Sequence, residues 1–550
     1  MRVPPGVSSA DFSAALVQFE QAVGKEWVFT SDEDVALYRD AYSPFWGEKD
    51  EIVASAAVAP DSVEQVQQVV RIANQYKIPI YAISTGKNLG YGGSAPVYSG
   101  SVVLDLKRMN RILEVNEKNA YALVEPGVSY FDLYRYIQEH GIKLWIDVPD
   151  PGWGSPVGNS LDRGGGYLMA NYRNHFDAHC GMEVVLANGE IVRTGMGAMP
   201  GAKTWQEYKT GFGPWVDGIF SQSNFGVVTK MGFWLMPEPE AYLSGTVYLP
   251  RYEDLIPMVV ILNYLENTRC TNGMPDLGSP LLGVGMISDM TKGFEEKLPA
   301  PNPELSALIA KSEIGKSAEL QEYALQKGIA YWSCQLSFYG SGKANAANWE
   351  YAQEKFSAIP GAKFEQNEFY KLPLTPAQRE KVHKPQFGIP SLAMFSIGAR
   401  TPNNPTPLNG HMWFSPIIPR TGEAIFEANR VFHEAAKEYE IPVLSSFSLP
   451  SCYWERAFIY IFAFPVTHDI ETNQKNRAAF KKMVRTAAEH GWGEYRTAPA
   501  FQETIMNTYG YNDHALLRFH ETLKDAVDPN GILSAGRYGI WPKHLRETKA

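Results

Sequence analysis

The spacing of apolar residues predicts helices and strands in the first part of the chain. In residues 62–76, SVEQVQQVVRIANQY, valines recur at helical spacing behind a Ser-x-x-Gln capping pattern. IPIYAI, SVVLDL and YALV read as short strands, and SYFDLYRYIQEHG reads as a helix that ends at Gly141. MEVVLANGEIVRTG alternates around Asn188 and Gly189, which predicts a hairpin. The mixture predicts an α+β fold.

Two glycine-rich stretches interrupt this pattern. They are STGKNLGYGG at 84–93 and PDPGWGSPVGNSLDRGGGY at 149–167. Glycine lets backbone amides approach phosphate oxygens closely, so one interpretation is a ligand with several phosphates lying between the stretches. The other interpretation is a set of structural turns. The Rossmann G-x-G-x-x-G, Walker A and HExxH motifs are absent from the sequence.

The distribution of glycine clusters and of predicted strands and helices changes near residue 240. Strands and helices then alternate with few glycine clusters, and glycine loops return near the end, in residues 521–541. A chain of 550 residues is long enough for two or three domains. We therefore predict one domain over 1–240, a second over 241–500, and a C-terminal segment, 501–550, that returns to the first.

Composition and charge narrow the class of partner and the location. A net charge of −10 without a basic run argues against nucleic acid. The four cysteines form no CxxC pair, so neither a disulfide framework nor a metal site is signalled. We find no signal-peptide pattern and no apolar stretch of about 18 residues, so the expectation is a cytoplasmic protein without a membrane span. The aromatic content of 13% fits a flat apolar pocket or simply large cores.

Long runs of the sequence resemble a known group of flavoproteins. STGKNLGYGGSAPVYSG, GWGSPVGNSLDRGGGY, GEYRT and DPNGIL are similar to the vanillyl-alcohol oxidase family, which includes eugenol oxidase and 4-cresol dehydrogenase. The resemblance implies a two-domain, FAD-binding fold of the cresol-methylhydroxylase type. Residues 1–240 and the C-terminal segment would bind FAD, and residues 241–500 would form an α+β cap over the substrate.

The resemblance also implies which residues hold FAD. The first glycine stretch would hold the diphosphate and the second would run along the flavin and ribityl chain, with further contacts from later segments. The implied cofactor residues are Ser84, Thr85, Gly86, Lys87, Asn88, Gly90, Gly92, Gly93, Pro126, Gly154, Ser155, Gly158, Asn159, Leu161, Gly226, Val228, Arg496 and Arg537.

A covalent bond to the flavin is the next implication. A lone histidine beside an apolar run, such as His411 in NGHMWFSPI, is by itself more often a structural residue. Oxidases of the family attach the flavin to the histidine of a very similar stretch. Relatives that use a tyrosine carry it where this chain has Gly398. The resemblance therefore implies FAD bound through His411, which raises the flavin potential and prevents loss of the cofactor.

The family binds a para-substituted phenol as its phenolate. The matching residues here are Tyr91, Tyr495 and Arg496, and an arginine beside two phenolic donors lowers the pKa of a bound phenol. Taken singly, each tyrosine would more often be a core residue. Hydride then leaves the benzylic carbon for flavin N5, which gives a p-quinone methide. The implied pocket residues are Tyr172, Trp413, Trp454 and Glu455.

The sequence departs from the family pattern where an acid would lie beside the flavin. We place that position at Asn174, in YRNHF, and a carboxamide cannot accept a proton at neutral pH. The base is then Asp177, Glu455 or none, with bulk water adding to the quinone methide. Ala498 and the GRYG stretch at Arg537 also differ from the pattern, which indicates a rebuilt pocket.

Three functions stay open on this evidence. The first is an oxidase of 4-hydroxybenzylic alcohols and 4-alkyl- or 4-allylphenols that reduces O₂ to hydrogen peroxide. The second is a dehydrogenase that passes the same electrons to a cytochrome or another acceptor. The third is a flavin-binding protein with impaired catalysis, which Asn174 suggests. The resemblance further implies a homodimer or higher homo-oligomer.

Overall fold

The computed structural model describes residues 2–88, 90–285, 302–392, 410–441, 447–467 and 469–549. Its α-helices are Ser9–Val23, Asp32–Ala36, Val63–Tyr76, Tyr130–Glu139, Pro156–Leu161, Ala170–Arg173, His175–Ala178, Asp217–Phe220, Leu255–Asn267, Pro303–Lys311, Ala318–Lys327, Gly342–Phe356, Pro376–Arg379, Gly422–Lys437, Ile470–Glu489, Gln502–Met506, Tyr511–Val527 and Lys543–Lys549. None of these described helices is long and apolar enough to cross a membrane.

The first sheet has four strands and carries the first glycine stretch at one end. Its order is Val28–Phe29, Ala56–Val58, Val102–Asp105 and Ile80–Ile83, and the last three strands are parallel. The predicted helix Val63–Tyr76 is present and packs its valines against this sheet. Ser62 caps it, but the Gln65 side chain accepts a hydrogen bond from Asp61 N rather than from the capping residue.

The second sheet has five antiparallel strands. Its order is Ile112–Asn116, Tyr121–Val124, Val227–Trp234, His179–Val185 and Ile191–Arg193. The predicted hairpin is present, because Val185 pairs with Ile191 across the Asn188 and Gly189 turn. The second glycine stretch follows the short strand Leu144–Trp145, which is not part of this sheet, and contains one short helix, Pro156–Leu161, with Ser155 as its capping residue.

The first strand of the third sheet begins at residue 241, next to the domain limit predicted at residue 240. Its order is Val284–Gly285, Asp276–Ser279, Trp332–Gly340, Ala241–Leu249 and Lys363–Lys371. Helices between residues 255 and 506 pack with this sheet in the largest apolar core. Four short strands form two further pairs: Gly410–Phe414 with Phe462–Val466, and Ile417–Pro419 with Ala457–Ile459. Leu144–Trp145 pairs with Met236–Pro237.

The C-terminal segment packs on the first sheet. Ile80 N donates to Ile532 O and Ser534 N donates to Ile80 O, both at 2.7 Å. The Asn224 amide donates to Ser534 O at 3.1 Å and to Ile540 O at 2.9 Å. The returning segment thus bonds to the strand Ile80–Ile83, which leads into the first glycine stretch. The domain limits at 240 and 500 stay predictions.

Candidate active site

A cavity of about 1200 Å³, partly open to solvent, lies between the two glycine stretches. Nearly every residue predicted to hold the cofactor lines it. Those residues are Ser84, Thr85, Gly86, Lys87, Asn88, Gly92, Gly93, Pro126, Gly154, Ser155, Gly158, Asn159, Leu161, Gly226, Val228, Arg496 and Arg537. Gly90 and His411 are the predicted cofactor residues outside this lining.

The two glycine stretches meet at Gly158. A Cβ at this position would overlap the hydroxyl of Ser84, so only glycine lets the short helix approach the first stretch this closely. Ser155 fixes the start of that helix, because its hydroxyl donates to Pro126 O at 2.6 Å and accepts from Gly158 N. The backbone of both stretches is thereby presented to one narrow space, as a diphosphate requires.

Asp162 organises the polar wall of the cavity and was not predicted. Its carboxylate accepts from Arg537 at 2.7 Å, from the Tyr538 hydroxyl at 2.8 Å and from the Asn88 amide at 3.2 Å. Arg537 also donates to the Tyr81 hydroxyl at 2.5 Å. The carboxylate follows the short helix directly, but its sequence neighbours give no sign of three partners that lie far away along the chain.

His411 lies beside the first glycine stretch. It is fully buried in the strand Gly410–Phe414, its ring stacks on Tyr42 at 5.4 Å, and Trp413 packs edge-on at 4.4 Å. Trp413 N donates to Gly90 O at 3.3 Å, and a Cβ on Gly90 would collide with both rings. Gly398, the alternative attachment position, lies outside the described residues. Covalent attachment through His411 stays a prediction.

The predicted phenol-binding residues lie together, and two of them, Tyr91 and Arg496, line the cavity. The Arg496 guanidinium lies 3.9 Å from the centre of the Tyr91 ring and 5.4 Å from that of Tyr495. The two rings pack edge to face at 6.2 Å. Ser415, which was not predicted, is fully buried and hydrogen-bonds the Tyr91 hydroxyl at 2.7 Å. The cluster therefore joins residues from three distant segments.

The electrostatics of this cluster suit an anion. Burial raises the pKa of Tyr91 well above its usual value and also raises that of Tyr495, while the charge of Arg496 opposes both shifts. Both hydroxyls therefore keep their protons at neutral pH and can donate. Burial also raises the pKa of Glu494 well above its usual range, although the hydrogen bond that it accepts from Ser415 N acts in the opposite direction. Arg496 is thus the charged member.

Asp150 is a carboxyl that the sequence reasoning missed. Asp150 is itself outside the described lining of the cavity, as Asn174 and Asp177 are, but it directly precedes Pro151, which lines the cavity, and the Tyr167 hydroxyl donates to it. Burial raises the pKa of Asp150 to about 6, although Tyr167 and the charge of Arg496 act in the opposite direction. A carboxyl near this pKa can exchange a proton at neutral pH. Its signal in the sequence was an acidic residue inside the second glycine stretch.

The three residues considered as bases are elsewhere. The Asn174 amide donates to Asp177 at 2.6 Å, the Asp177 side chain is exposed, and neither residue lines the cavity. Glu455 forms an ion pair with Arg269 at a partly exposed position. None of these contacts is made with Tyr91, Tyr495 or Arg496, so they give no support to the catalytic roles predicted for Asn174, Asp177 and Glu455, which stay predictions.

Two of the predicted pocket aromatics reach the cluster. Trp454 packs on Tyr495 at 5.2 Å between ring centres, and Trp413 lies 6.4 Å from Tyr91. Tyr172 instead packs at the edge of a separate apolar cluster that includes Trp145 and Leu168. The described walls around the phenol-binding residues are therefore aromatic, as the composition suggested.

Comparisons with known proteins agree with this arrangement. Residues 54–195 match the family model described as FAD binding domain. The chain is 33% identical over 546 residues to the 4-cresol dehydrogenase [hydroxylating] flavoprotein subunit of Pseudomonas putida, which covers 98% of this chain and 97% of that protein.

Two solved structures are similar over nearly the full length. A 4-ethylphenol oxidase from Gulosibacter chungangensis, in complex with isoeugenol, has a TM-score of 0.81 at 34% identity and covers 99% of this chain and 100% of the other. A p-cresol methylhydroxylase with substrate bound has a TM-score of 0.81 at 30% identity and covers 98% and 99%. The predicted α+β, two-domain FAD-binding fold with a cap is confirmed.

Proposed function

The chain belongs to the p-cresol methylhydroxylase and vanillyl-alcohol oxidase family of FAD-dependent oxidoreductases, and we propose that it oxidises para-substituted phenols at the benzylic carbon. The substrate class is 4-hydroxybenzylic alcohols and 4-alkyl- or 4-allylphenols. The observation that carries the proposal is the cluster of Arg496, Tyr91 and Tyr495 beside the FAD-binding cavity.

The residues of the cavity fit FAD. Glycines without room for a Cβ bring the two stretches together, and Arg537 and Lys87 add positive charge to the same lining. His411 would carry the covalent bond, since it lies against Gly90 beside the lining. When bound there, FAD supplies the acceptor for the hydride that leaves the benzylic carbon, and the substrate becomes a p-quinone methide.

The first task of the protein side chains is to ionise the phenol. Arg496 cannot lose its proton, and the hydroxyls of Tyr91 and Tyr495 keep theirs, so all three favour an oxyanion over a neutral hydroxyl. Ser415 holds the Tyr91 hydroxyl in place through its 2.7 Å hydrogen bond. Ionisation pushes electron density toward the para carbon, which favours loss of hydride from the benzylic carbon.

The second task is to handle the proton after hydride loss, and we assign it to Asp150. When water adds to the quinone methide, the oxygen bonds to the benzylic carbon and a proton is released. When the substrate is a benzylic alcohol, its hydroxyl proton is released instead. Asp150 is near its pKa of about 6 at neutral pH and can accept this proton. The assignment replaces Asn174, Asp177 and Glu455.

Reduction of the flavin by a panel of para-substituted phenols tests the proposal. Under anaerobic conditions, 4-alkylphenols and 4-hydroxybenzylic alcohols should bleach the flavin absorbance. The matched 4-methoxy compounds cannot ionise and should react slower by about three orders of magnitude or more. Equal rates for a phenol and its methyl ether would contradict the phenolate mechanism. Absence of bleaching by every phenol would favour a flavin-binding protein with impaired catalysis.

Reoxidation of the reduced enzyme separates the two electron acceptors. Similar relatives carry the names of an oxidase and of a dehydrogenase, at 34% and 33% identity. We propose the oxidase, with O₂ reduced to hydrogen peroxide, and the measurement is the rate at which air restores the flavin absorbance. Slow reoxidation by air together with fast reoxidation by an artificial acceptor would identify a dehydrogenase instead.

A further inference from the structure

Three charged side chains from distant segments are buried together behind the aromatic wall of the site. Glu266 lies in the last turn of the helix Leu255–Asn267 and is 2% exposed. Arg173 is 0% exposed and Arg420 is 5% exposed. Arg173 Nη2 lies 2.7 Å from Glu266 Oε1, and Arg420 Nη2 pairs with Glu266 Oε2. One carboxylate thus bridges two guanidinium groups. We call this set the buried triad.

A buried ion group of this kind is weak evidence for stability. Removing charges from water is costly, and an apolar set of the same size is often as stable or more so. Stability therefore does not explain why these three charged side chains are buried behind the site, and a further role is needed. The other hydrogen bonds of the two arginines indicate one.

Both arginines hold the backbone of the same dipeptide. Arg173 Nε donates to Tyr453 O at 2.9 Å, and Arg420 Nη1 donates to Trp454 O at 2.8 Å. Glu266 fixes both guanidinium groups, so it sets the position of two consecutive carbonyls. Without that carboxylate, the two like charges would repel each other and the dipeptide would lose its anchors.

The side chains of this dipeptide face the proposed reaction. Trp454 packs on Tyr495 at 5.2 Å. The Tyr453 hydroxyl donates to the Tyr167 hydroxyl at 2.9 Å, and Tyr167 in turn donates to Asp150. A hydroxyl that receives a hydrogen bond becomes a better donor, so Tyr453 strengthens the bond that Tyr167 makes to Asp150.

We propose that the buried triad of Arg173, Glu266 and Arg420 positions Tyr453 and Trp454 and thereby controls both the orientation of the phenol and proton acceptance by Asp150. This inference rests on the proposed function, because it concerns the same reaction. The three charged residues are positioning residues, since each acts through the dipeptide and not on the substrate.

The test compares Glu266→Gln with a matched control, Glu183→Gln. Glu183 is also a buried carboxylate between two cations, with Arg193 and Lys230 each at 2.8 Å, but it lies in the second sheet away from the dipeptide. The measurements are flavin content, thermal unfolding, and the rates of flavin reduction and of product formation from a 4-alkylphenol between pH 5 and pH 9.

In Glu266→Gln, the rate of flavin reduction should fall by about 10- to 100-fold, because the phenol ring of the substrate is held less well against the phenol-binding residues. The kinetic pKa of product formation should rise by about half a unit, because Tyr167 becomes a weaker donor to Asp150. Glu183→Gln should keep its rate of flavin reduction within about twofold of the wild type and should leave the kinetic pKa unchanged. This holds even if its melting temperature falls as much as that of Glu266→Gln. Equal kinetics in the two variants would overturn the proposal.

Two further variants keep the test decisive if Glu266→Gln folds poorly. Tyr453→Phe leaves the buried triad intact and should give the same rise in kinetic pKa with a smaller loss of rate. Arg420→Lys keeps the charge but cannot bind Glu266 and Trp454 O together, so it should show both effects in weaker form. If Tyr453→Phe shifts the pH profile and Arg420→Lys leaves both rate and profile unchanged, positioning by the triad is wrong.

A double variant separates positioning from general damage. If the triad acts on Asp150 through Tyr453, Glu266→Gln combined with Tyr453→Phe should shift the kinetic pKa no further than Tyr453→Phe alone. Additive shifts would overturn the proposed route. Failure of every phenol to reduce the wild-type flavin would instead refute the proposed function, whereas a reactive wild type with unaffected triad variants would refute only this inference.

Discussion

The two ends of the active-site cavity are built in different ways. The cofactor end consists mainly of two continuous glycine stretches, 84–93 and 149–167, whose backbones approach each other at Gly158. The reacting end consists of side chains from segments far apart, with the Tyr91 hydroxyl hydrogen-bonded to Ser415 and Trp454 packed on Tyr495. Local backbone geometry therefore decides cofactor binding, whereas long-range packing decides the chemistry.

This difference predicts two kinds of failure. A substitution at the reacting end should lower the rate of reduction while the protein keeps its flavin. A substitution at the cofactor end should lower flavin content, and the molecules that retain FAD should react almost normally. The four variants below test that separation, from the largest expected effect to the smallest.

The largest effect is expected for Arg496→Ala. Loss of the one charged group of the phenol-binding cluster should slow flavin reduction by about 10²- to 10³-fold, as for other oxyanion-stabilising groups. Stopped-flow reduction with a 4-alkylphenol measures it, and Tyr495→Phe should show a smaller loss of the same kind. Because Arg496 also lines the cavity, flavin content is measured in parallel. If Arg496→Ala lacks FAD as purified but reacts at the wild-type rate after FAD is added back, Arg496 belongs to the cofactor end and the proposed difference between the two ends is wrong.

Asp150→Asn should give the next largest effect and should alter the pH dependence. Turnover of 4-hydroxybenzylic alcohols should fall by about 10²-fold, the usual contribution of a positioned base. In the wild type, burial raises the pKa of Asp150 to about 6, so the accepting, ionised form is lost as the pH falls below 6. Wild-type activity should therefore decline toward acid pH and level off above neutrality.

The role of Asp150 is tested by the acid limb of the pH profile, which is the range in which activity declines as the pH falls. In Asp150→Asn the limb assigned to this carboxyl should disappear, because the amide does not titrate. Asn174→Asp and Asp177→Asn serve as controls, since these two side chains bond to each other and not to the cluster, and their profiles should match the wild type. A lost acid limb in Asp177→Asn would return the base to that residue.

His411→Ala should have an intermediate effect that involves both ends. FAD should remain with the wild-type polypeptide after acid precipitation and should be released from the variant. Reduction should slow by about tenfold, which corresponds to a modest change in driving force. A yellow supernatant from fully loaded wild-type protein would rule out covalent attachment through His411.

The smallest effect is expected for Gly158→Ala. The added methyl group would push against Ser84 and widen the gap between the glycine stretches. We expect a loss of about 1 kcal/mol in FAD affinity, or roughly fivefold. The variant is best made in the His411→Ala background, where binding is reversible and can be titrated. Gly141→Ala is the control, because no atom lies within 4 Å of its Cβ position.

Much of the fold and half of the site followed from the sequence. The Ser62 cap and the Asn188 and Gly189 turn act over a few residues and were predicted correctly, although Gln65 bonds Asp61 N and not the capping residue. Residues of both glycine stretches line one cavity, and their contacts with FAD stay predictions. The resemblance also placed Tyr91, Tyr495 and Arg496, which the structure brings together. The acid position placed at Asn174 stays a prediction, because an aligned motif carries no measure of distance to the flavin and the contact of Asn174 with Asp177 does not test it.

The sequence by itself determined the backbone that holds the cofactor, since glycine content and short-range capping fix those turns whatever surrounds them. Only the tertiary structure reveals the surroundings of Asp150, the carboxyl that we propose as the base. The sequence reasoning singled out Asn174 and not Asp150, but in the structure burial and the hydrogen bond from Tyr167 set the pKa of Asp150, whereas Asn174 donates to an exposed aspartate. Proton affinity depends on surrounding solvent and charge, and both depend on residues that packing alone brings near.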